Sequence, residues 1–284
     1  MFIVKLKGGL GNQLFQYALG KKLSVIRNES FKLDISGYVQ RIKTDTPRKY
    51  SLDAFNIKAD IASDLEIKNI KYPFGIISKG WRFFSFKFLR IHNIGYIPSI
   101  LSAKKKYIDG YWQSYKYLGP IRNILLEEFT LRESIENKYK ELLNQINNNS
   151  TSIHIRRGDL VSNAKTKAEY HTFGIEYYEE AIKIISKETS NPTFFVFSDD
   201  IEWAKQNLKI DLPIVFVSNP QIKDYEELII MSRCKNNIIA NSTFSFWSAW
   251  LNQNPNKIVI APKQWTTKKT SDELDVLPKE WIQI

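Results

Sequence analysis

Thr151-Ser152-Ile153-His154-Ile155, followed at once by Arg156-Arg157-Gly158-Asp159, opens the stretch whose reading decides the fold. A short β-type run ends in a charged glycine turn, and the same grammar recurs downstream. Thr193–Phe197 runs into Ser198-Asp199-Asp200, and Asn237–Ala240 runs into Asn241-Ser242-Thr243-Phe244-Ser245. Further runs fall at Ile214–Val217 and Lys257–Ala261, and helical spacing separates the runs at Ile175–Glu188, Ile201–Leu208, Asp224–Cys234 and Ser245–Leu251. Strict strand–helix alternation predicts a parallel sheet with crossover helices, a doubly wound α/β domain. Such sheets bind ligands beyond the carboxyl ends of their strands, so the chemistry is expected just after each run.

Upstream, Phe2–Leu6 is a short apolar run, Gly8-Gly9-Leu10-Gly11 is a turn, and Phe15, Leu19, Leu23 and Ile26 share one helical face. Asn12 is the expected N-cap of that helix. Phe31–Ile35 reads as the next strand, and helical segments are expected at Gly119–Phe129 and Ile135–Ile146. The polar run Asn147-Asn148-Asn149-Ser150 is the candidate linker. It divides the chain into an N-terminal α/β domain (1–147) and a C-terminal α/β domain (151–284). The last residues are expected to pack back on the first domain.

Lys plus Arg number 41 and Asp plus Glu 30, a formal charge of +11 that favours anionic partners. The basic residues are scattered, and neither zinc-finger spacing nor an RNP signature appears, so nucleic acid is not the expected partner. Cys234 is the only cysteine, which rules out an intramolecular disulfide and fits a reducing compartment. No signal-peptide pattern and no apolar run of membrane-spanning length appears. A cytoplasmic protein is expected.

Arg156 and Arg157, flanked by His154 and Asp159, leave the first run of the C-terminal domain. Arginine's planar fork binds phosphate oxygens in bidentate fashion and keeps its charge at neutral pH. The alternative is a strand-end Arg–Asp ion pair with His154 in the core; position at the carboxyl end of the run favours function. Asp199 and Asp200 can accept from ribose hydroxyls or from guanine N1–H and N2–H, and one is expected to cap the next helix. No Asp-x-Asp triplet occurs in the chain, so arginine rather than Mg²⁺ is expected to neutralise a leaving diphosphate. Ser242, Thr243 and Ser245 crowd a helix start, either as an anion seat or as an N-cap on a core helix. The Gly8–Gly11 turn lacks the Gly-x-Gly-x-x-Gly fingerprint, and many such turns only join a strand to a helix.

Together these segments resemble the α-1,2-fucosyltransferases of glycosyltransferase family 11. The resemblance rests on Gly-Gly-Leu-Gly-Asn-Gln-Leu-Phe-Gln-Tyr at 8–17, Gly-Tyr-Trp-Gln-Ser at 110–114 and His-Ile-Arg-Arg-Gly-Asp at 154–159. Phe-Ser-Asp-Asp at 197–200 and Ser-Thr-Phe-Ser-Phe-Trp at 242–247 complete it, while Leu160 stands where the family has an aromatic. It implies a GT-B-like α/β fold, two Rossmann-like domains facing across a cleft. It also implies GDP-β-L-fucose as donor, inversion without a bound metal or other cofactor, and a galactose-containing glycan as acceptor. A repeat unit of O-antigen or capsule on a lipid carrier is the implied acceptor class. By that pattern Arg156 holds the β-phosphate, with His154 and Arg157 beside it. Asn12 and the hydroxyls of Ser242, Thr243 and Ser245 complete the diphosphate seat, and Gly9, Gly11, Asn241 and Phe244 are donor-binding beside them. Asp199 or Asp200 makes the nucleoside contacts, with Ser198 on the same donor side. Tyr111, Trp112 and Gln113 lie on the acceptor side, with Trp112 stacked on a galactose face. Asp159 is the first candidate for general base and His171 the second.

Two other classes fit the same residues: a GT-B glycosyltransferase using another nucleotide sugar, and a non-catalytic nucleotide- or polyanion-binding module. One further segment, Ser78–Arg90, interleaves five aromatics with four basic residues. It reads either as a contact with an anionic membrane face or as an internal helix.

Overall fold

The structure is a computed structural model that describes residues 1–284 except 40–47, 72–93, 159–160 and 162. The segment 78–90 and Asp159 therefore lie outside the described residues. The chain divides into two compact units, Met1–Arg132 with Leu274–Val276, and Glu133–Glu273 with Leu277–Ile284.

In the first unit, β1 (Phe2–Lys5), β2 (Phe31–Asp34), β3 (Asp60–Ile61) and β4 (Tyr107–Ile108) form a sheet in the order β3-β2-β1-β4. Every pairing is parallel, with Phe2 opposite Phe31 and Val4 opposite Ile108. Helix α1 (Leu10–Arg27) connects β1 to β2 and buries Leu14, Phe15, Ala18, Leu19 and Leu23. Removing a leucine or phenylalanine side chain from water stabilises the fold by roughly 1.5–3 kcal/mol. The helix begins two residues before the expected cap: Gly9 is the N-cap, and Asn12 already lies inside the first turn. Its other end closes on Asn28 in the left-handed conformation, a residue that tolerates positive φ. Tyr17 anchors the helix from within. Its hydroxyl donates to Glu128 Oε2 at 2.6 Å and accepts the Lys58 N–H at 3.0 Å, while Lys21 holds Glu128 Oε1 at 2.8 Å.

The second unit contains β5 (Ser150–Ile155), β6 (Thr193–Ser198), β7 (Ile214–Phe216), β8 (Asn236–Ile238), β9 (Val259–Ala261) and β10 (Ile282–Gln283). Their order is β10-β9-β8-β5-β6-β7, all parallel. Counted from the unit's own first strand, this is 3-2-1-4-5-6 read from the far edge, the strand order of dinucleotide-binding sheets. The expected alternation is therefore present, and the helix Ile175–Glu188 matches its expected bounds. Its face Tyr177, Tyr178, Ala181, Ile182 and Ile185 packs on Ile153, Phe194 and Val196. All six residues of β5 are buried, including its polar ones. Ser152 Oγ accepts from Asn237 Nδ2 at 2.7 Å, so that polar atom is matched inside the sheet.

Two expectations about the organisation shift. The expected boundary lay at 147–151, but the contact division falls at Arg132/Glu133. Lys138 and Tyr139 both bond the Glu226 carboxylate, at 2.8 Å, which ties the segment after 133 to the second unit. Of the final residues, only Leu274–Val276 belongs to the first unit, while Ile282 and Gln283 add β10 to the second sheet. A two-residue strand carries too little periodicity to be read from sequence.

Candidate active site

Each sheet has one topological switch point, between β1 and β4 in the first unit and between β5 and β8 in the second. These crevices are where parallel sheets hold ligands. The sequence-predicted residues cluster at both.

At the first crevice the glycine turn after β1 is built by its neighbours. Gly8 has φ +82, and a Cβ there would meet Asn12 Nδ2 at 2.5 Å, so glycine is required both by dihedral and by space. Gln16 matches both backbone groups of Lys7, accepting its N–H at 2.9 Å and donating to its carbonyl at 3.2 Å. Gln13 donates to the carbonyls of Gly8 and Lys49 and accepts the Ser51 N–H at 3.0 Å, and the Tyr38 hydroxyl donates to Gly8 O at 2.9 Å. Asn12 Oδ1 accepts from Gln113 Nε2 at 2.8 Å, linking the turn after β1 to the loop after β4. Lys7 reaches Asp109 at 2.8 Å and lies 4.7 Å above the Tyr111 ring. Burial acts to raise the Asp109 pKa, but the hydrogen bond and charge of Lys7, joined by Lys5, outweigh it and hold the carboxyl below its ordinary range.

Trp112 departs from expectation. It is only 4 % exposed, packs over Gly110, and has φ +57, an unusual backbone for a bulky side chain. It offers no open face for stacking on a sugar; Tyr111 is the half-buried aromatic of this loop. Gln113 Oε1 and Trp112 Nε1 are both buried without a hydrogen-bond partner.

At the second crevice, β5 delivers His154 and Arg156, and β8 delivers Asn241 through Phe244. The Arg156 side chain is half-buried and lies 5.8 Å from the Tyr170 ring. Its backbone is hydrogen-bonded with the Tyr178 hydroxyl, which fixes where the guanidinium begins. His154 is 8 % exposed and tilts against Phe244 with ring centroids 5.4 Å apart. Burial, reinforced by the Arg156 charge, pushes its imidazole down to about 3. A ring held neutral in this way offers one nitrogen as donor and the other as acceptor. His154 Nδ1 and Asn241 Oδ1 are both buried and unpartnered. Ser242 caps the helix Thr243–Leu251, its hydroxyl accepting from Phe244 N–H at 3.3 Å.

Residues 1–284 match the sequence signature of glycosyl transferase family 11. The chain belongs to that family. It is 35% identical to an alpha-1,2-colitosyltransferase of Escherichia coli, over 99% of this chain and 98% of that protein. It is 32% identical to the O-antigen biosynthesis glycosyltransferase WbnK of Escherichia coli, over 98% of this chain and 99% of the other. With a galactoside 2-alpha-L-fucosyltransferase, SEC1 of Bos taurus, the identity is 22% over 88% of this chain and 64% of that protein. Among solved structures, a crystal structure of POFUT1 in complex with GDP-fucose superposes with a TM-score of 0.52 at 14% identity, over 92% of this chain and 97% of that one. That likeness supports the GT-B-like α/β fold.

Within this family 11 glycosyltransferase several expected ligand residues also make contacts inside the scaffold. Ser245, fully buried, donates to the carbonyls of Ala240 (3.3 Å) and Ser242 (3.2 Å), away from any seat. Arg157 Cζ lies over the Trp203 ring, 3.8 Å from its centroid, with Nε 3.7 Å from Asp200 Oδ2. Asp200 Oδ1 in turn caps the helix Ile201–Asn207 through the Trp203 N–H, the capping role expected of one of the pair. Asp199 Oδ1 accepts the Arg157 N–H at 2.8 Å, and a Cβ on Gly158 would meet Asp199 Oδ2 at 2.8 Å. This explains the glycine after the two arginines. Ser198 Oγ accepts the Asp200 N–H at 3.0 Å. His171 is exposed, edge-on to Phe173 at 4.7 Å, and its carbonyl accepts from Asn241 Nδ2 at 2.9 Å. Among the described residues no group of three or more His, Cys, Asp or Glu could hold a metal ion, and no helix is long and apolar enough to cross a membrane.

The sequence reading missed Gln13, Gln16 and Trp203. Trp203 carried a signal: it stands three residues after Asp200, one helical turn from the cap.

Proposed function

We propose that this glycosyltransferase moves L-fucose from GDP-β-L-fucose to the 2-hydroxyl of a galactose-type residue, forming an α-1,2 linkage in an O-antigen or capsule repeat unit. The observation that carries the reading is convergence. His154, Arg156, Asn241, Thr243 and Phe244 stand at or just after the ends of β5 and β8, the two strands that flank the switch point of a 3-2-1-4-5-6 sheet, where such sheets take a nucleotide diphosphate. The His154 and Phe244 rings are 5.4 Å apart. Membership of family 11, the α-1,2 linkage named for the colitosyltransferase and the O-antigen role named for WbnK support it.

The chemistry is one displacement. The acceptor oxygen forms a bond to the anomeric carbon on the face opposite the phosphate, that carbon's bond to the β-phosphate oxygen breaks, and GDP departs with the electron pair. The acceptor's proton passes to a base, Asp159 or His171. Charge on the β-phosphate grows as the bond breaks, so a guanidinium already in place stabilises the transition state more than the ground state. Arg156 fills that role, which is what supports a metal-independent reaction. The net charge of +11 supports peripheral association with an anionic membrane leaflet that carries lipid-linked acceptors. Co-sedimentation with anionic liposomes tests that part.

The identity of 35% with a colitosyltransferase supports a second reading, in which the sugar is colitose, L-fucose without its 3-hydroxyl. Incubation of the purified chain with GDP-fucose, GDP-colitose and UDP-galactose over galactose-terminated acceptors separates these, with the linkage read by NMR. An α-1,2-fucosyl product supports the proposal, preferential colitosyl transfer selects the second reading, and transfer from the UDP-sugar alone overturns both.

A further inference from the structure

Helix α1 starts at the first crevice and ends at the opposite edge of its sheet, roughly 27 Å away for 18 residues. Ile26 continues the helical face of Phe15, Leu19 and Leu23, yet it is 52 % exposed, and its neighbour Val25 is 55 % exposed. Beside them Arg27 turns back on the fold. Its guanidinium donates to the carbonyls of Ala103 and Lys105, the latter at 3.0 Å, and lies 5.0 Å over the Phe2 ring. These bonds set the last turn of α1 against the segment before β4, where Lys104, Lys105 and Lys106 are all exposed. Lys106 holds Glu29 at 2.6 Å, and Glu29 is the only acid within 24–30 and 102–106. Among the described residues no acid pairs with Lys104 or Lys105. An aliphatic pair and a lysine pair thus share one edge of the first unit, at the far end of α1 from the glycine turn.

Single aliphatic side chains on a surface are ordinary. Two together beside lysines that pair with no acid have the composition of an interfacial contact: the aliphatics enter the headgroup boundary while the ammonium groups stay with the phosphates. Nucleic acid would leave Val25 and Ile26 without a partner. A second copy meeting this face about a twofold axis would set the same lysines against one another. We propose that this edge of the first unit, through Val25, Ile26, Lys104 and Lys105, docks the chain on an anionic phospholipid surface. This rests on the membrane association proposed above and gives it a face. Docked in this way, the first crevice points away from the bilayer, with the length of α1 as the spacer.

Co-sedimentation with vesicles of phosphatidylglycerol and phosphatidylcholine, against phosphatidylcholine alone, tests this. The proteins compared are wild type, Lys104→Glu/Lys105→Glu, Val25→Ser/Ile26→Ser and a control, Lys268→Glu/Lys269→Glu. The control reverses the same number of charges on exposed lysines of the second unit. Every substituted side chain is exposed, so native melting transitions are expected throughout. Wild type is expected to bind only the anionic vesicles. Lys104→Glu/Lys105→Glu should weaken that binding roughly 30-fold or more, at about fivefold for each basic residue withdrawn from the surface. Val25→Ser/Ile26→Ser should weaken it about tenfold, while the control keeps most of its binding. Turnover on a soluble galactose-terminated acceptor should be the same in all four proteins. Equal losses in the control and in Lys104→Glu/Lys105→Glu overturn the assignment of this face and leave membrane association to net charge. Unchanged binding in Val25→Ser/Ile26→Ser also overturns it, because a purely electrostatic contact needs no aliphatic pair. Absence of wild-type binding at low salt overturns the membrane association itself, and this inference with it.

Discussion

Replacing His154 with glutamine tests whether the imidazole at the switch point is held neutral by its surroundings. In the folded chain burial and Arg156 depress it to about 3, against 6.5 for the free side chain. Between those values the unfolded chain binds a proton that the folded chain refuses, so stability falls as pH drops below 6.5. Each pH unit in that window favours the unfolded state by about 1.36 kcal/mol, so moving from pH 7 to pH 5 costs about 2 kcal/mol from this one residue. Urea unfolding at both pH values, followed by circular dichroism, measures it. The drop in unfolding free energy should be about 2 kcal/mol larger for wild type than for His154→Gln. The comparison cancels Glu227, whose raised pKa acts in the opposite direction and is common to both proteins. Parallel pH dependences in wild type and variant would refute the claim that His154 is buried neutral. The same measurement bears on mechanism, because a ring with a depressed pKa imposes no limb near pH 6.5 on kcat/KM.

Arg156→Lys keeps the charge but loses the bidentate fork, and kcat should fall by about 10²–10³; near wild-type turnover in a folded variant removes Arg156 from the leaving group. Dialysis against EDTA should leave initial rates unchanged, and an absolute need for added Mg²⁺ or Mn²⁺ would contradict the arginine-based reading of the diphosphate site. Gln16→Leu strips both partners from the Lys7 backbone, which Gln16 holds at 2.9 and 3.2 Å. Two unmatched buried groups cost about 2 kcal/mol or more, a melting-point drop of roughly 4–8 °C by differential scanning fluorimetry. A shift under one degree would show that the glycine turn does not depend on this brace.

Strands β5, β6, β8 and β9 of the second sheet are buried nearly throughout and were legible as β-type runs between helices of 3.6-residue period, whereas the two-residue β10 at the edge was not. Family-bearing motifs were legible for a related reason: glycines, arginines and hydroxyls at strand ends have local roles that leave a local pattern. Strand order was not, since hydrogen bonding between β5 and β8 depends on partners more than eighty residues apart. Nor was the use of each polar side chain. Asp199, Asp200, Arg157 and Ser245 all stand in motif positions, yet the structure turns them toward the backbone and toward Trp203. Sequence by itself determined the family, the α/β alternation and the loops where chemistry occurs, because those follow from local periodicity and residue type. Only the tertiary structure decided which of the loop residues face an open crevice and which brace it, because that choice is set by distances between strand ends that no local pattern encodes.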